Sequence, residues 1–378
     1  MTKPQFTLIP SAYNTSKVYS VLPVNGDGDF DFDRASKGTR VREDGLIEEV
    51  TNNIPRLDWY DSNCPSLLLE PQRTNYASNS GDASQWATVS GSQSVTKTQN
   101  YAISPNGTRT AARIQANATG SNYSLIQLST SSFIGNYAGS VYLKSNTGNT
   151  ENVIVYGRNT SITSYPIGNE WQRIEIQGSG TSGENLYLFL GSFPNNGSDE
   201  NVDILVWGGQ LEQGTYTSSY IPTPSITTRL KDECLNGGDS DLFDITEGSF
   251  FVDVLPYNAG LVSTISLSNN STSQRILIQF QSNGTQVRLF SSGGVSNYQT
   301  ITFNQRNKIL VTFKLNEYKF YINGALVSTD TSATVPTGLD RVNFSNSTAN
   351  SDFFQGEVND TRVYDRVLTE AEAIKLTT

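Results

Sequence analysis

Short runs of β-branched and aromatic residues, bounded by Ser, Thr, Asn, Asp and Gly, recur along the chain. Val153–Tyr156, Leu186–Leu190, Ile276–Phe280 and Ile309–Phe313 are examples. Their length and composition predict strands. Asn-Gly pairs at Asn283-Gly284 and Asn323-Gly324 lie between such runs. Both central residues of a type I′ turn need positive φ, so these pairs predict tight hairpins. Strands joined locally are antiparallel, and their regular spacing favours sandwiches over barrels. One helix is predicted, at Leu368–Leu376, where Thr369 as N-cap and Glu372 at N3 form a capping box. The chain carries neither a heptad pattern nor a short repeat, which excludes a coiled coil and argues against a β-helix.

Texture divides the chain in three. Residues 1–62 hold little regular pattern and many Asp, Arg and Gly, and read as an irregular leader. Residues 63–228 form a first β domain that closes at Tyr220-Ile221-Pro222-Thr223-Pro224. Residues 240–378 form a second, entered through Gly237-Gly238-Asp239. The predicted class is all-β: a leader, two antiparallel β-sandwiches and one short carboxyl-terminal helix.

Composition narrows the chemistry. Only 36% of the 378 residues are hydrophobic and 16% charged, yet the chain holds 4 Trp, 18 Tyr and 17 Phe. Disordered chains of such polarity carry more charge and fewer aromatics. Apolar runs are far shorter than the roughly 20 residues of a membrane span. The opening MTKPQFTLIP lacks the charged-then-apolar pattern of a signal peptide, which predicts a soluble chain made without an export signal. A net charge of −10 argues against nucleic acid or an anionic membrane as partner. There is no His, so every Ser–His–Asp, Cys–His or His-ligated metal mechanism is excluded within this chain.

Three stretches carry a resemblance. Phe32-Asp33-Arg34-Ala35-Ser36-Lys37-Gly38-Thr39-Arg40-Val41, Asn53-Ile54-Pro55-Arg56-Leu57-Asp58 and Leu67-Leu68-Leu69-Glu70-Pro71-Gln72-Arg73-Thr74-Asn75 follow one another. This succession resembles the leader of tailed-bacteriophage virion proteins, tail and fibre components especially. Trp207-Gly208-Gly209-Gln210-Leu211-Glu212-Gln213-Gly214, running into Thr217-Ser218-Ser219-Tyr220-Ile221-Pro222-Thr223, resembles the last strand of a carbohydrate-binding-module-like jelly roll. Lys319–Gly324 and Gly356–Leu368 resemble a laminin-G-like, concanavalin A-like domain.

The resemblance implies two jelly-roll sandwiches on a virion appendage assembled in the host cytoplasm. Residues 1–62 would dock on other virion proteins and support a dimer or trimer, and the sandwiches would bind a host-surface glycan. A head-fibre or decorating protein whose sandwiches contact only other subunits is the alternative, with a polysaccharide-degrading enzyme behind it.

Sugar recognition needs an aromatic platform and amide or carboxylate side chains for the hydroxyls. Strand aromatics are usually core, which sets Trp86, Trp171 and Trp207 aside. Loops carry binding on rigid sandwiches, so Tyr257, Tyr298 and Phe193 are the candidate sugar-binding residues. No cofactor is expected. A structural Ca²⁺ tying first strand to last is what related jelly rolls suggest, at Glu70 with Asp203 or Glu212. Cys64 and Cys234 bracket the first sandwich; a bond between them would staple it, whereas a reducing cytoplasm favours two separate thiols. Concanavalin A-like hydrolases carry a Glu-x-Asp-x-x-Glu strand. Neither Asp241–Glu247 nor Glu357-Val358-Asn359-Asp360 has that spacing, which argues against an enzyme.

Overall fold

The computed structural model describes residues 3–60, 62–130, 134–181, 186–243, 245–258, 260–347 and 351–378. It is almost wholly antiparallel β structure in two units, each a sandwich. One unit comprises residues 1–43, 50–71 and 230–378; the other comprises 44–49 and 72–229. The second unit is therefore an insertion, in chain order, between two parts of the first.

In the discontinuous unit, an eight-stranded sheet and a five-stranded sheet share one core. Strand Gly356–Tyr364 lies inside the larger sheet, beside Gly248–Pro256. Its other edge takes Leu67–Leu69 opposite Gly356–Val358, and Phe6–Leu8 opposite Thr361–Val363. The smaller sheet runs Val295–Thr300, Gln286–Ser291, Arg275–Phe280, Ser263–Ser268, Arg341–Asn343. Alternation decides the faces. Ile276, Ile278 and Phe280 are buried in the core, as are Val287 and Leu289 on the next strand. Phe250, Val252 and Val254 meet them from the larger sheet.

The division at residue 62 is not where the structure divides. Phe6, Leu8, Phe30 and Phe32 are buried in the same core as Phe250 and Phe344. The Phe30 ring lies 5.1 Å from Phe344, and Phe6 lies 5.4 Å from Phe243. The leader thus buries Phe6, Leu8, Phe30 and Phe32 within its own chain, so a lack of a core to join is no longer a ground for expecting copies to associate.

A cluster of four buried charges sits where the chain leaves this unit and returns. Arg34 Nη1 donates to Asp232 Oδ1 at 3.0 Å, and Arg56 Nη1 donates to Glu70 Oε2 at 2.6 Å. Arg56 Nη2 bonds the other Asp232 oxygen. The backbone amides of Glu70 and Asp232 complete the clasp, donating to Asp232 Oδ2 and the Glu70 carbonyl at 2.9 Å each. Arg34 also donates to the carbonyls of Ser36 and Thr51, each at 3.0 Å.

The inserted unit stacks two five-stranded sheets. Strands far apart in sequence become neighbours: Ala111–Asn117 pairs on one side with the preceding Ser94–Ala102 and on the other with the distant Asn201–Gln213, and Ser124–Thr130 pairs with Leu186–Ser192. This is jelly-roll connectivity. Ile114, Val141, Val153, Leu188 and Ile204 fill the middle. The two motifs of this unit interlock. Asn75 Nδ2 donates to the carbonyls of Gly209 and Ile221, and Asn75 Oδ1 accepts from the amides of Ala77 and Leu211. Gln210 Oε1 accepts from the Ile221 amide at 2.7 Å, and Tyr220 shares a hydrogen bond with Ser80 at 2.8 Å. A Cβ at Gly209 would stand 2.4 Å from the Trp86 ring, so the second glycine of the Trp-Gly-Gly sequence is where an indole packs on backbone.

Local predictions fare unevenly. The carboxyl-terminal helix spans Glu370–Thr377 with the Thr369–Glu372 capping box intact; a further single turn covers Ser240–Phe243. Asn323 and Gly324 both have positive φ and join Glu317–Ile322 directly to Ala325–Asp330. Asn283 does not: only Gly284 is left-handed, and its amide donates to the Gln281 carbonyl in a longer loop. The prediction of a type I′ turn there is corrected. Cys64 is exposed, Cys234 buried, and both are free thiols.

Arg56→Met leaves two buried carboxylates without their shared guanidinium and should cost about 3–5 kcal/mol in urea unfolding. Lys17→Met, which removes the exposed Lys17–Asp31 pair, should cost under about 1 kcal/mol. At the carboxyl end, bonds from Arg366 and from the Thr369 amide hold the Glu372 carboxyl down at about 2, against an ordinary 4.5. A carboxylate depressed on folding stabilises above its unfolded pKa and ceases to do so as pH falls through the folded one. Protection factors for amide exchange in Glu370–Thr377, taken against the intrinsic rate at each pH, should therefore fall between about pH 4.5 and 2, and this fall should vanish in Glu372→Gln.

Candidate functional site

The outer face of the five-stranded sheet is built by register. Tyr298 stands opposite Arg288, which stands opposite Gln279, itself opposite Thr264. The next row is Ser296, Phe290, Leu277, Ser266 and Asn343. Alternation sends these side chains away from the core that Val287, Leu289, Ile276 and Ile278 fill. Thr264, Ser266, Leu277 and Asn343 are buried, so the accessible part of the face lies toward the edge strand Val295–Thr300. There the Tyr298 ring is 49% exposed and Arg288 and Phe290 are half-buried.

Stacking fixes this edge. The Arg288 guanidinium lies 4.7 Å from the centre of the Phe290 ring and 5.4 Å from that of Tyr298. Its Nε and Nη2 both donate to Ser296 Oγ, at 3.1 and 2.9 Å. Arg275 lies over Phe290 at 5.2 Å and donates from Nη1 to Asn346 Oδ1 and Ser347 Oγ. The result is a ridge of two rings and two planar cations bordered by hydroxyls and amides. Such a surface can take the apolar face of a pyranose while hydrogen-bonding its hydroxyls.

The inserted unit has an aromatic face of its own. Tyr156 and Phe189 stack at 4.7 Å with 21° between planes, and Tyr187 lies 5.2 Å from Phe189. Gln127 and Ser129 stand opposite Phe189 and Tyr187 on the neighbouring strand. The signal for this face was present in Tyr187 and Phe189 alternating with the buried Leu188 and Leu190. Its pairing with Tyr156 depends on register, which no single strand reveals.

The three predicted residues fall in three places. Tyr298 belongs to a strand rather than a loop, because the turn is made just before it: Gly294, at φ +114°, donates its amide to the Ser291 carbonyl and Val295 re-enters pairing opposite Ser291. Tyr257 follows the strand Gly248–Pro256 of the larger sheet and is half-buried, its hydroxyl donating to Glu357 Oε1 at 3.0 Å. It does not share the face of Tyr298. Phe193 precedes the 3₁₀ turn Pro194–Asn196 of the inserted unit and meets Tyr123 edge-on at 5.8 Å.

The indoles set aside as core behave differently from one another. Trp86 and Trp207 are buried; Trp207 lies 4.5 Å from Tyr220, and Trp86 Nε1 donates to the Asn79 carbonyl. Trp171 is half-buried at the head of the strand Gln172–Gly180.

The carboxylates suggested for a structural ion have other partners. Glu70 takes Arg56, Asp203 takes Arg113 Nε at 2.8 Å, and Glu212 accepts from the Ser218 amide and hydroxyl at 2.6 and 2.7 Å. Burial nevertheless pushes the Glu212 carboxyl up, against the opposing pull of Arg73. Among the described residues no three His, Cys, Asp or Glu side chains converge as a metal site. Asp241 and Glu247 are exposed, and Asp244 between them lies outside the described residues. Glu357 is engaged by Tyr257 and by Ser66 at 3.1 Å, and Asp360 accepts from Arg362 Nε at 3.0 Å.

Residues 250–373 match the Concanavalin A-like lectin/glucanases superfamily through a laminin-G model. The match lies within the discontinuous unit and includes the whole ridge. That superfamily holds binding proteins and hydrolases alike, so it names the fold and leaves the function to the site. None of the curated proteins compared with the chain matches it. Among solved structures, the CBM40 domain of Ruminococcus gnavus IT-sialidase bound to α2,3-sialyllactose is 18% identical; the similarity covers 35% of this chain and 84% of that one, at a TM-score of 0.31. Domain 4 of AbnA, an arabinanase from Geobacillus stearothermophilus, in complex with arabinotriose is 17% identical over 41% and 77% at 0.33. Trypanosoma rangeli sialidase with the inhibitor DANA is 10% identical over 38% and 26% at 0.33.

Core and site aromatics should separate in stability measurements. Trp207→Ala should cost about 3–5 kcal/mol of unfolding free energy. Tyr298→Ala should stay within about 0.5 kcal/mol of the parent.

Proposed function

We propose that this chain is a non-enzymatic structural protein of a bacteriophage virion, a fibre or other surface appendage, that binds host-surface glycan through the Tyr298–Phe290 ridge. The observation that carries the reading is the exposed Tyr298 ring on a rigid sheet face with Arg288, Ser296 and Gln279 as its neighbours. The lectin-type fold of residues 250–373 supports it. The virion setting rests on the resemblance of the leader motifs. A single shallow face of this kind binds weakly, and many copies on one particle supply avidity.

Attachment to other virion proteins belongs, on this reading, to the amino-terminal segment, and a dimer or trimer would present several ridges together. Ile9, Tyr19, Val21 and Val24 support that role, since the leader leaves them exposed, Val24 at 90%. The same four residues favour the second reading, a head-fibre or decorating protein that contacts only virion subunits. Assembly in the host cytoplasm is part of both.

The test uses the full chain, because deleting residues 240–378 would strip the core from Phe6 and Phe30. Purified protein should bind a subset of a glycan array and intact bacteria saturably. Tyr298→Ala should weaken that binding about tenfold or more, the loss of one stacking ring plus its contact area. A folded parent protein that binds neither array nor cells would favour the decorating role.

A further inference from the structure

We infer that the ridge is selective for an acidic glycan, with the guanidinium groups of Arg275 and Arg288 receiving the carboxylate or phosphate of one sugar while Tyr298 and Phe290 take its ring. The inference deepens the glycan-binding reading above and rests on it.

The argument begins with an unbalanced pair of charges. Arg275 and Arg288 both lie over Phe290, at 5.2 and 4.7 Å from its centre. Two cations sharing one ring repel each other, and burial, with Arg288 beside it, lowers the basicity of Arg275. A protein with ten excess negative charges has acids to spare, yet among the described residues neither guanidinium has a carboxylate within 4 Å. Asp352, whose field reaches Arg275, is bonded to Asn346 Nδ2 instead. Other arginines of this unit are matched: Arg306 is bidentate on Asp253, Arg362 on Asp360, Arg366 on Glu372. The ridge pair differs from these.

The unmatched pair is also held ready. Ser296 fixes two nitrogens of Arg288, and Asn346 with Ser347 fixes Nη1 of Arg275. These partners are neutral, so they orient the cations without neutralising them. Arg275 Nε is buried without a hydrogen-bond partner, as are Ser266 Oγ and Asn343 Nδ2 on the same face. Planar guanidinium groups match carboxylate and phosphate oxygens in a way that ammonium groups do not. A neutral sugar would leave both cations uncompensated. An anionic sugar supplies the missing charge and keeps the aromatic contact.

The test compares uronate-, sialate- and phosphate-bearing oligosaccharides with their carboxyl-reduced or dephosphorylated counterparts, using the full chain and calorimetry at low and raised salt. At least one acidic member should bind about tenfold or more tighter than its neutral counterpart, with a preference that shrinks as salt rises. Arg288→Met should abolish that preference, so that the acidic and neutral members of each pair bind alike, and Arg288→Lys should restore only part of it. Arg275→Met is the second variant, and an unchanged thermal midpoint certifies both as folded. Binding to neutral glycans alone, or equal and salt-insensitive binding to both members of every pair, overturns the acidic specificity and leaves the glycan reading standing. No binding to any glycan overturns both, and tight salt-dependent binding to single-stranded DNA with none to glycan replaces them with a nucleic-acid site.

Discussion

The discontinuous unit depends on four charges that water does not reach. Arg34, Arg56, Glu70 and Asp232 are each almost wholly buried, and moving any of them out of water alone would cost several kcal/mol. They are tolerable only together, because each guanidinium faces a carboxylate and Asp232 Oδ2 also accepts the Glu70 amide. This constraint reaches across the sequence. Glu70 stands just before the inserted unit begins and Asp232 just after it ends, so the cluster closes only when both arms of the chain are home. Until then, each partial assembly carries an uncompensated charge, which disfavours compact states with the arms misplaced. The hydrophobic core alone gives no such discrimination, since Phe6 and Phe30 would bury against many apolar surfaces.

The same cluster explains why the leader motifs look as they do. Arg34, Arg56 and Glu70 are spread over thirty-odd residues with little apolar pattern around them, and in one dimension they read as surface. Their partner Asp232 lies far along the chain. What the sequence does show is local: alternation gives the strands, Thr369 and Glu372 give the last helix, and Asn323-Gly324 gives a two-residue turn. What it hides is pairing at long range. Phe6–Leu8 joins Thr361–Val363, and nothing near either segment announces the other. A boundary drawn at residue 62 follows a change of texture that is real and corresponds to no change of core.

The site was half legible for a similar reason. Tyr298 stood out as an aromatic near Gly293-Gly294, and the glycines did mark a turn, but it closes at Gly294 and leaves the tyrosine well inside the strand that follows. Phe290, Arg288 and Arg275 looked like ordinary strand residues. Only register turns them into neighbours, because Arg288 reaches both rings across two strands while Arg275 reaches Phe290 from a third. Tyr257 and Phe193 had the same local credentials as Tyr298, and lacked that convergence.

Placing recognition on a sheet face has a physical consequence that a loop would not share. Strand side chains between paired neighbours have few rotamers left to lose, so a ridge locked by Ser296 and Asn346 gives up little entropy when a ligand arrives. The gain matters most for a shallow surface, where each contact is worth little and many must act at once. It also separates two uses of aromatic residues within one fold. Trp207 and Tyr220 pack inward and hold the inserted sandwich shut, whereas Tyr298 leaves half its ring outside a sheet that is already stable without it. A residue that the core does not need, kept rigid by residues that do not neutralise their neighbours, is explained better by what it meets than by what it supports.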